Sequence, residues 1–407
     1  MDKIRPRTSR TTAFVLFTLW LNRWMAAISR RYSATGEGAD SRPPSGMPES
    51  VNLLGVYGGV VATVFVSIAM AQSTQLSLPV PQRNSMLAAV AFLTPVKDIF
   101  QFLEDTTTVK ITFAMGAGDL SSIRHIVLVG LVGGLGAGIL GALLMTALQG
   151  LEVIEVLLAP GSAQAQLENP GCALLPSATE VVDTARGLWL LTSWSWPLQF
   201  CSMVLTGLLM GAREFALYGV ASILAQAALG GLWFSGPKPQ NLHLLGWAGF
   251  VSNAVFCGSL ALFIAVHRPL RQKYGLLLEA RTVEANGARE ALSAEAEASG
   301  GTKGVLLDGL LAMTLDLALQ AAGTISVFVA AYVSLQDMYQ LSAAGAALPQ
   351  FTAYAAGLGY VVRLAGGALV GRQAHEEFAF LMKVMIGLSE SCWASSPLSA
   401  SFLTSIA

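Results

Sequence analysis

From Val51 onward, long apolar runs alternate with short polar breaks. Nine runs fall at 51–71, 86–115, 126–148, 187–211, 215–235, 244–267, 305–335, 341–370 and 377–392. About 20 apolar residues at 1.5 Å each cover the ~30 Å hydrocarbon core of a bilayer, so most of these runs are long enough to cross one. The clearest, Ile126–Leu148, contains no charge at all. It follows an apolar run ending at Met115 and the short sequence Gly116-Ala117-Gly118-Asp119, which reads as a turn at the membrane surface between two spans. The pattern predicts an all-α, polytopic membrane protein.

The same local pattern returns later in the chain. Val109-Lys110-Ile111 precedes the Gly118-Asp119 turn, and Val362-Arg363-Leu364 precedes Gly371-Arg372, an offset of 253 residues (362 − 109). Moving Val51 by that offset reaches Gly304, one residue before the next apolar block. One offset from two landmarks argues for an internal duplication, which in membrane proteins usually means a transporter built from two related bundles. The reading is therefore a six-helix N-lobe over 51–267, a linker over 268–304, and a partial C-lobe of about three helices over 305–407, with Gly116, Gly118, Asp119 and Gly371 as structural turn residues.

Composition agrees. Charged residues are 12% of the chain and hydrophobic ones 54%, against about 25% charged in a soluble domain. The placement of charge says more than its total. Between Gln149 and Ala185 there is no Lys or Arg, whereas 268–304 carries Arg268, Arg271, Lys273, Arg281, Arg289 and Lys303. Retention of Lys and Arg on the cytoplasmic side puts the amino terminus and the linker inside. Residues 1–50 are rich in Arg and hydroxyl residues and poor in acids. That composition resembles an organelle targeting segment, which would place the protein in a plastid or other organelle membrane. A disordered basic tail on a plasma-membrane protein fits it equally.

Charges inside spans are the candidate chemistry, since a charge at the bilayer centre costs at least ~2.5 kcal/mol and tends to mark an ion or substrate path. Asp316 lies about 11 residues into its span, near the midplane at 1.5 Å per residue, with no basic residue one turn away. It is the first ion-coupling candidate, because a carboxylate in such a place is suited to taking up and releasing protons; the alternative is neutralisation by a basic residue on another helix. Asp308 and Asp98 are further candidates. Lys97 and Glu104, seven residues apart, read as a structural pair on one face. Pro197 and Pro349 interrupt spans, and kinked helices often line transporter cavities, though a tolerated kink is the plainer reading. Trp194, Trp196, Pro197 and Gln199 are candidates for an aromatic substrate cavity, or, for the tryptophans, interface anchors.

Gly136-Ala137-Gly138-Ile139-Leu140-Gly141 satisfies GxGxxG but lies within an uncharged span, with no strand before it, so a dinucleotide site is rejected. Gly130, Gly134 and Gly138 instead recur every four residues, a small-residue face for close helix packing. The four cysteines are too far apart for a metal knuckle. No nucleophile–base pair, HExxH, P-loop or nucleic-acid-reading motif is present. An enzyme, a metal site, a bound cofactor and a nucleic-acid partner all lack support; the partners are the lipid bilayer and a small organic solute.

Three stretches resemble the multidrug and toxic compound extrusion (MATE) family. Thr106-Thr107-Thr108-Val109 followed by Ala114-Met115-Gly116-Ala117-Gly118-Asp119 is similar to the end of that family's second helix and its turn. Ala185-Arg186-Gly187-Leu188-Trp189 through Trp196-Pro197, with Gly207 and Gly211-Ala212-Arg213 beyond, resembles its fourth helix, and Leu245-Gly246-Trp247-Ala248 the opening of its sixth. The resemblance covers roughly 86–380. It implies a secondary antiporter that exports organic solutes or xenobiotics in exchange for H⁺ or Na⁺ by rocking two lobes. Two departures stand out. The span 51–71 carries no acid where many members have one, and the repeat offset would carry a complete second lobe well beyond Ala407. The alternatives are a non-transporting membrane subunit or scaffold that keeps the fold, and a lipid-handling flippase.

Overall fold

The computed structural model describes residues 63–64, 66–117, 121–150, 178–237, 241–267, 349–371 and 374–394, with a few isolated positions between them. Every regular element in these residues is helical: α1 (66–77), α2 (Val80–Asp98), a 3₁₀ turn (Ile99–Gln101), α3 (Phe102–Ala117), α4 (Ser121–Gly150), α5 (Ala178–Gly211), α6 (Phe215–Ser235), α7 (Leu242–Val266), α8 (Pro349–Gly371) and α9 (His375–Ala394). The fold is all-α. Among the described residues, three helices, over Ser122–Ala147, Phe215–Ser235 and Leu242–Val266, are long and apolar enough to cross a membrane. Large apolar side chains such as Val132, Leu140, Ile223 and Leu262 stand outward on them, the arrangement of an integral membrane protein whose outer face meets lipid.

Helix boundaries shift several of the sequence assignments. The break between the first two spans is not a loop over 72–85. Helix α1 runs to 77, only Leu78 and Pro79 separate it from α2, and Arg83 donates to the carbonyls of Gln75, Leu76 and Leu78 at 3.1, 3.3 and 3.2 Å. A cation thus satisfies carbonyls that a helix end leaves open. The span assigned to 86–115 is two helices joined by the 3₁₀ turn. Helix α5 begins at Ala178, nine residues before the span assigned to 187–211, and reaches 34 residues. Pro349 stands at the first residue of α8, where a missing N–H costs nothing, so it kinks no part of that helix. The segments 1–50 and 268–304 lie outside the described residues, as does the span 305–335 apart from two isolated positions.

Two apolar clusters hold α2 to α7 together. One joins α2, α4, α5 and α6 around Trp196, Phe200, Val204 and Trp233; the other joins α3, α4, α5, α6 and α7 around Ile111, Ile123, Leu208 and Leu260. Helix α5 runs through both. Against it, α4 presents the glycine face. A Cβ at Gly130, Gly134, Gly138 or Gly141 would meet, respectively, Val204 at 2.9 Å, the Phe200 carbonyl at 3.1 Å, the Pro197 Cα at 2.5 Å and the Trp196 ring at 2.8 Å. Gly138 and Gly141 of the GxGxxG run are thus part of a helix-packing surface, and Gly136 is not. Polar side chains fasten the remaining contacts: Trp189 Nε1 donates to the Met145 carbonyl at 3.0 Å, Trp233 Nε1 to Ser77 Oγ at 2.8 Å, and Ser252 Oγ to the Ala225 carbonyl at 2.8 Å. Bonds of this kind satisfy groups that lipid cannot. Between α5 and α6 the chain reverses through Arg213, whose φ of 66° is left-handed, and the Glu214 N–H reaches the Leu209 carbonyl at 2.8 Å. That is the helix-ending geometry usually given to glycine.

Candidate functional site

Helix α3 is held on one side and meets a polar partner on the other. Its fixed side lies on α5, where a Cβ at Gly207 would meet the Glu104 carbonyl and Thr107 Cβ, both at 2.8 Å, and one at Gly211 would meet Ile111 at 2.8 Å. The two glycines let α3 lie close against α5. The other side faces α8, from the far end of the chain, and this seam carries the charges.

Glu104 stands in the first turn of α3, after the 3₁₀ turn. Three residues at 3.0 per turn instead of 3.6 swing the helix face by about 60°. Lys97 and Glu104, which a continuous helix would stack, consequently do not form the pair predicted for them. Lys97 Nζ instead lies 3.1 Å from Asp98, both about a third exposed. Glu104 is only 8% exposed and takes two uncharged partners: Gln101 Nε2 donates to Oε2 at 3.0 Å, and the Tyr360 hydroxyl of α8 donates to Oε1. Its neighbour Asp105 receives the cation, with Arg363 Nη1 2.5 Å from Oδ1. The Arg363 guanidinium also stacks over the Tyr360 ring at 5.1 Å from its centroid. Two turns further along α3, Thr112 Oγ1 donates to the Arg363 carbonyl at 3.3 Å, and a Cβ at Gly367 would run into Thr112 Oγ1. Tyr218 of α6 packs with Tyr360 around Met210 and Leu364 beneath the cluster. A buried carboxylate, an acid–guanidinium pair and a backbone-close glycine contact therefore lie along one seam.

The predicted site residues are distributed differently. Asp308, Asp316, Gly118 and Asp119 lie outside the described residues. Asp98 sits at the end of α2 with Lys97, away from the buried seam. Gly116 is still helical, within α3, and Gly371 is the last residue of α8. The aromatic cavity residues do not share one surface: Trp194 is 44% exposed, while Trp196 is fully buried against Gly141 and Pro197 is pressed on Gly138. Gln199 belongs to a small polar knot in which its Nε2 and Asn253 Nδ2 of α7 both donate to Ser195 Oγ, at 3.0 and 3.1 Å. Among the described residues, no group of three His, Cys, Asp or Glu side chains is placed to hold a metal. The residues that sequence reasoning missed as a site are Glu104, Asp105, Tyr360 and Arg363. The repeat, which aligns 109–111 with 362–364, singles out the two helices but not these four residues.

No protein-family model matches the sequence, and no curated protein does. Solved structures do match. The outward-facing conformation of a multidrug resistance MATE family transporter of the MOP superfamily superposes with a TM-score of 0.58 at 15% identity, over 84% of this chain and 70% of that one. A MATE structure in a bent conformation gives 0.56 at 14% identity, over 86% and 71%. A MOP superfamily transporter from Pyrococcus furiosus, whose binding pocket is described as reversed in polarity with a suggested different function, gives 0.54 at 13%, over 84% and 70%. At these identities the likeness is one of architecture, and the architecture of this chain is MATE-like.

Proposed function

We propose that the chain is a MATE-like secondary antiporter that exports an organic solute in exchange for H⁺ or Na⁺. The observation that carries the reading is the extent of the likeness. It spans 84% of the chain, a share too large to fall entirely before the 268–304 segment, so both proposed lobes contribute to it. On this reading α1–α7 belong to the N-lobe of 51–267, α8 and α9 to the C-lobe of 305–407, and transport is a rocking of one against the other about the α3–α8 seam. Asp316 and Asp308 are the coupling candidates of the second lobe. Gln199, a predicted cavity residue, is held in the Gln199–Ser195–Asn253 knot between α5 and α7.

The test is solute efflux from proteoliposomes holding this chain, loaded with a fluorescent organic cation and given a proton or a sodium gradient. Efflux that depends on one of the gradients is expected. Correctly folded protein that moves no solute under either gradient would overturn the antiporter reading and favour the scaffold.

A further inference from the structure

We propose that Glu104 is a proton-binding site whose occupancy controls the α3–α8 seam: the seam closes with the proton on and opens with its release. This rests on the antiporter reading for its meaning in transport, but not for its test. The groups facing Glu104 among the described residues are Gln101 and Asp105 from its own side of the seam, Tyr360 and Arg363 from α8, and Tyr218 from α6. Arg363 attracts Glu104 at a distance, but its Nη1 is placed on Asp105. The two groups that touch the Glu104 carboxyl are an amide and a phenol.

Closure of the seam removes water from Glu104 and leaves it next to the carboxylate of Asp105. An ionised Glu104 would then lose its hydration and face a like charge in a low-dielectric setting, whereas a protonated one does neither. Tyr360 suits both states. Its hydroxyl donates to an ionised carboxylate, and rotated about the C–O bond it accepts from a protonated one. Opening the seam separates Tyr360 and Arg363 from α3 and readmits water, which favours loss of the proton to that side. The step balances as a single proton transferred between Glu104 Oε1 and water, with no covalent bond to carbon made or broken. The chemistry specifies a proton: a sodium ion would need several oxygen ligands, and the Glu104 carboxyl is already met by the donor groups of Gln101 and Tyr360.

Spin labels test the linkage directly. With the four native cysteines replaced by serine, labels are placed at Phe113 of α3, which is exposed, and Gly359 of α8, around which a Cβ meets nothing within 4 Å. The distance distribution between them is recorded in liposomes across a range of pH. A short-distance population that grows as pH falls is expected, and Glu104→Gln should hold that population at its low-pH level at every pH. Adding sodium ions at fixed pH and ionic strength should not move it. A pH-independent distribution, a Glu104→Gln variant that still responds to pH like the parent, or a response to sodium would each overturn the proposal. Failure of efflux with an intact Glu104-dependent distance change would instead remove the antiporter reading and leave the proton site standing.

Discussion

Two seams in this molecule are built on opposite principles. Where α4 meets α5, four glycines bring the backbones together over Val204, Phe200, Pro197 and Trp196, and the contact is apolar apart from the Trp189–Met145 hydrogen bond. Where α3 meets α8, the contact is made by a carboxyl–phenol hydrogen bond, an acid–guanidinium pair and a threonine on a backbone carbonyl, with a single glycine contact at its end. The first seam joins helices near one another in sequence, the second helices on either side of the linker. Apolar backbone-to-backbone packing has one good geometry and resists opening. A seam of charges and hydrogen bonds has a second low-energy arrangement, solvated by water, once it parts. On the proposed reading the α4–α5 contact is scaffold and the α3–α8 contact is the part that separates.

Substitutions can break that contrast in graded steps. The largest effect is expected at Gly138, where a leucine side chain would have to displace the Pro197 backbone. Gly138→Leu should cost about 3 kcal/mol or more, seen as loss of the cooperative melt in detergent. Next is Arg363→Ala, which leaves the part-buried Asp105 without its cation. About 1–3 kcal/mol is expected, below the range for a fully buried pair, and the double variant Asp105→Asn with Arg363→Gln should recover most of it in the same melt. A smaller loss, about 1 kcal/mol, is expected for Gly367→Ala, because its Cβ enters the space of Thr112 Oγ1. Adding Thr112→Ala should relieve it, and a failure to relieve it would mean that the seam is not packed as described. The smallest effect is at Gly136, around which a Cβ meets nothing within 4 Å. Gly136→Ala should leave the melt unchanged or raise it by up to about 1 kcal/mol, from helix propensity alone.

The scaffold was far more legible in the sequence than the movable seam. An uncharged run such as Ile126–Leu148 has few alternatives to a membrane helix, and glycines every fourth residue state their own packing face. The seam residues gave no comparable local signal. Glu104 and Tyr360 are 256 residues apart, and no pattern near either names the other. Lys97 offered Glu104 a nearby partner that a three-residue change in helical pitch then withdrew. The repeat relates the two helices, but its offset aligns Arg363 with Lys110 and Asp105 with Leu358, so it does not name the pair. Trp194 and Trp196 part for a simpler reason: two residues apart on a helix point about 200° apart, so one faces outward and the other the core.

The central claim is that the α3–α8 seam must open for the protein to work. The direct measurement is efflux from proteoliposomes holding the cysteine-free chain with Thr112→Cys and Gly367→Cys, before oxidation, after oxidation and after reduction. A Cβ at Gly367 would lie 3.1 Å from the Thr112 Cβ, close to the separation of about 3.5–4.5 Å in a disulfide, so the bridge should form with the seam closed. The account predicts gradient-driven efflux that stops when the bridge forms and returns when it is reduced. Efflux that continues unchanged through a fully formed bridge would contradict it.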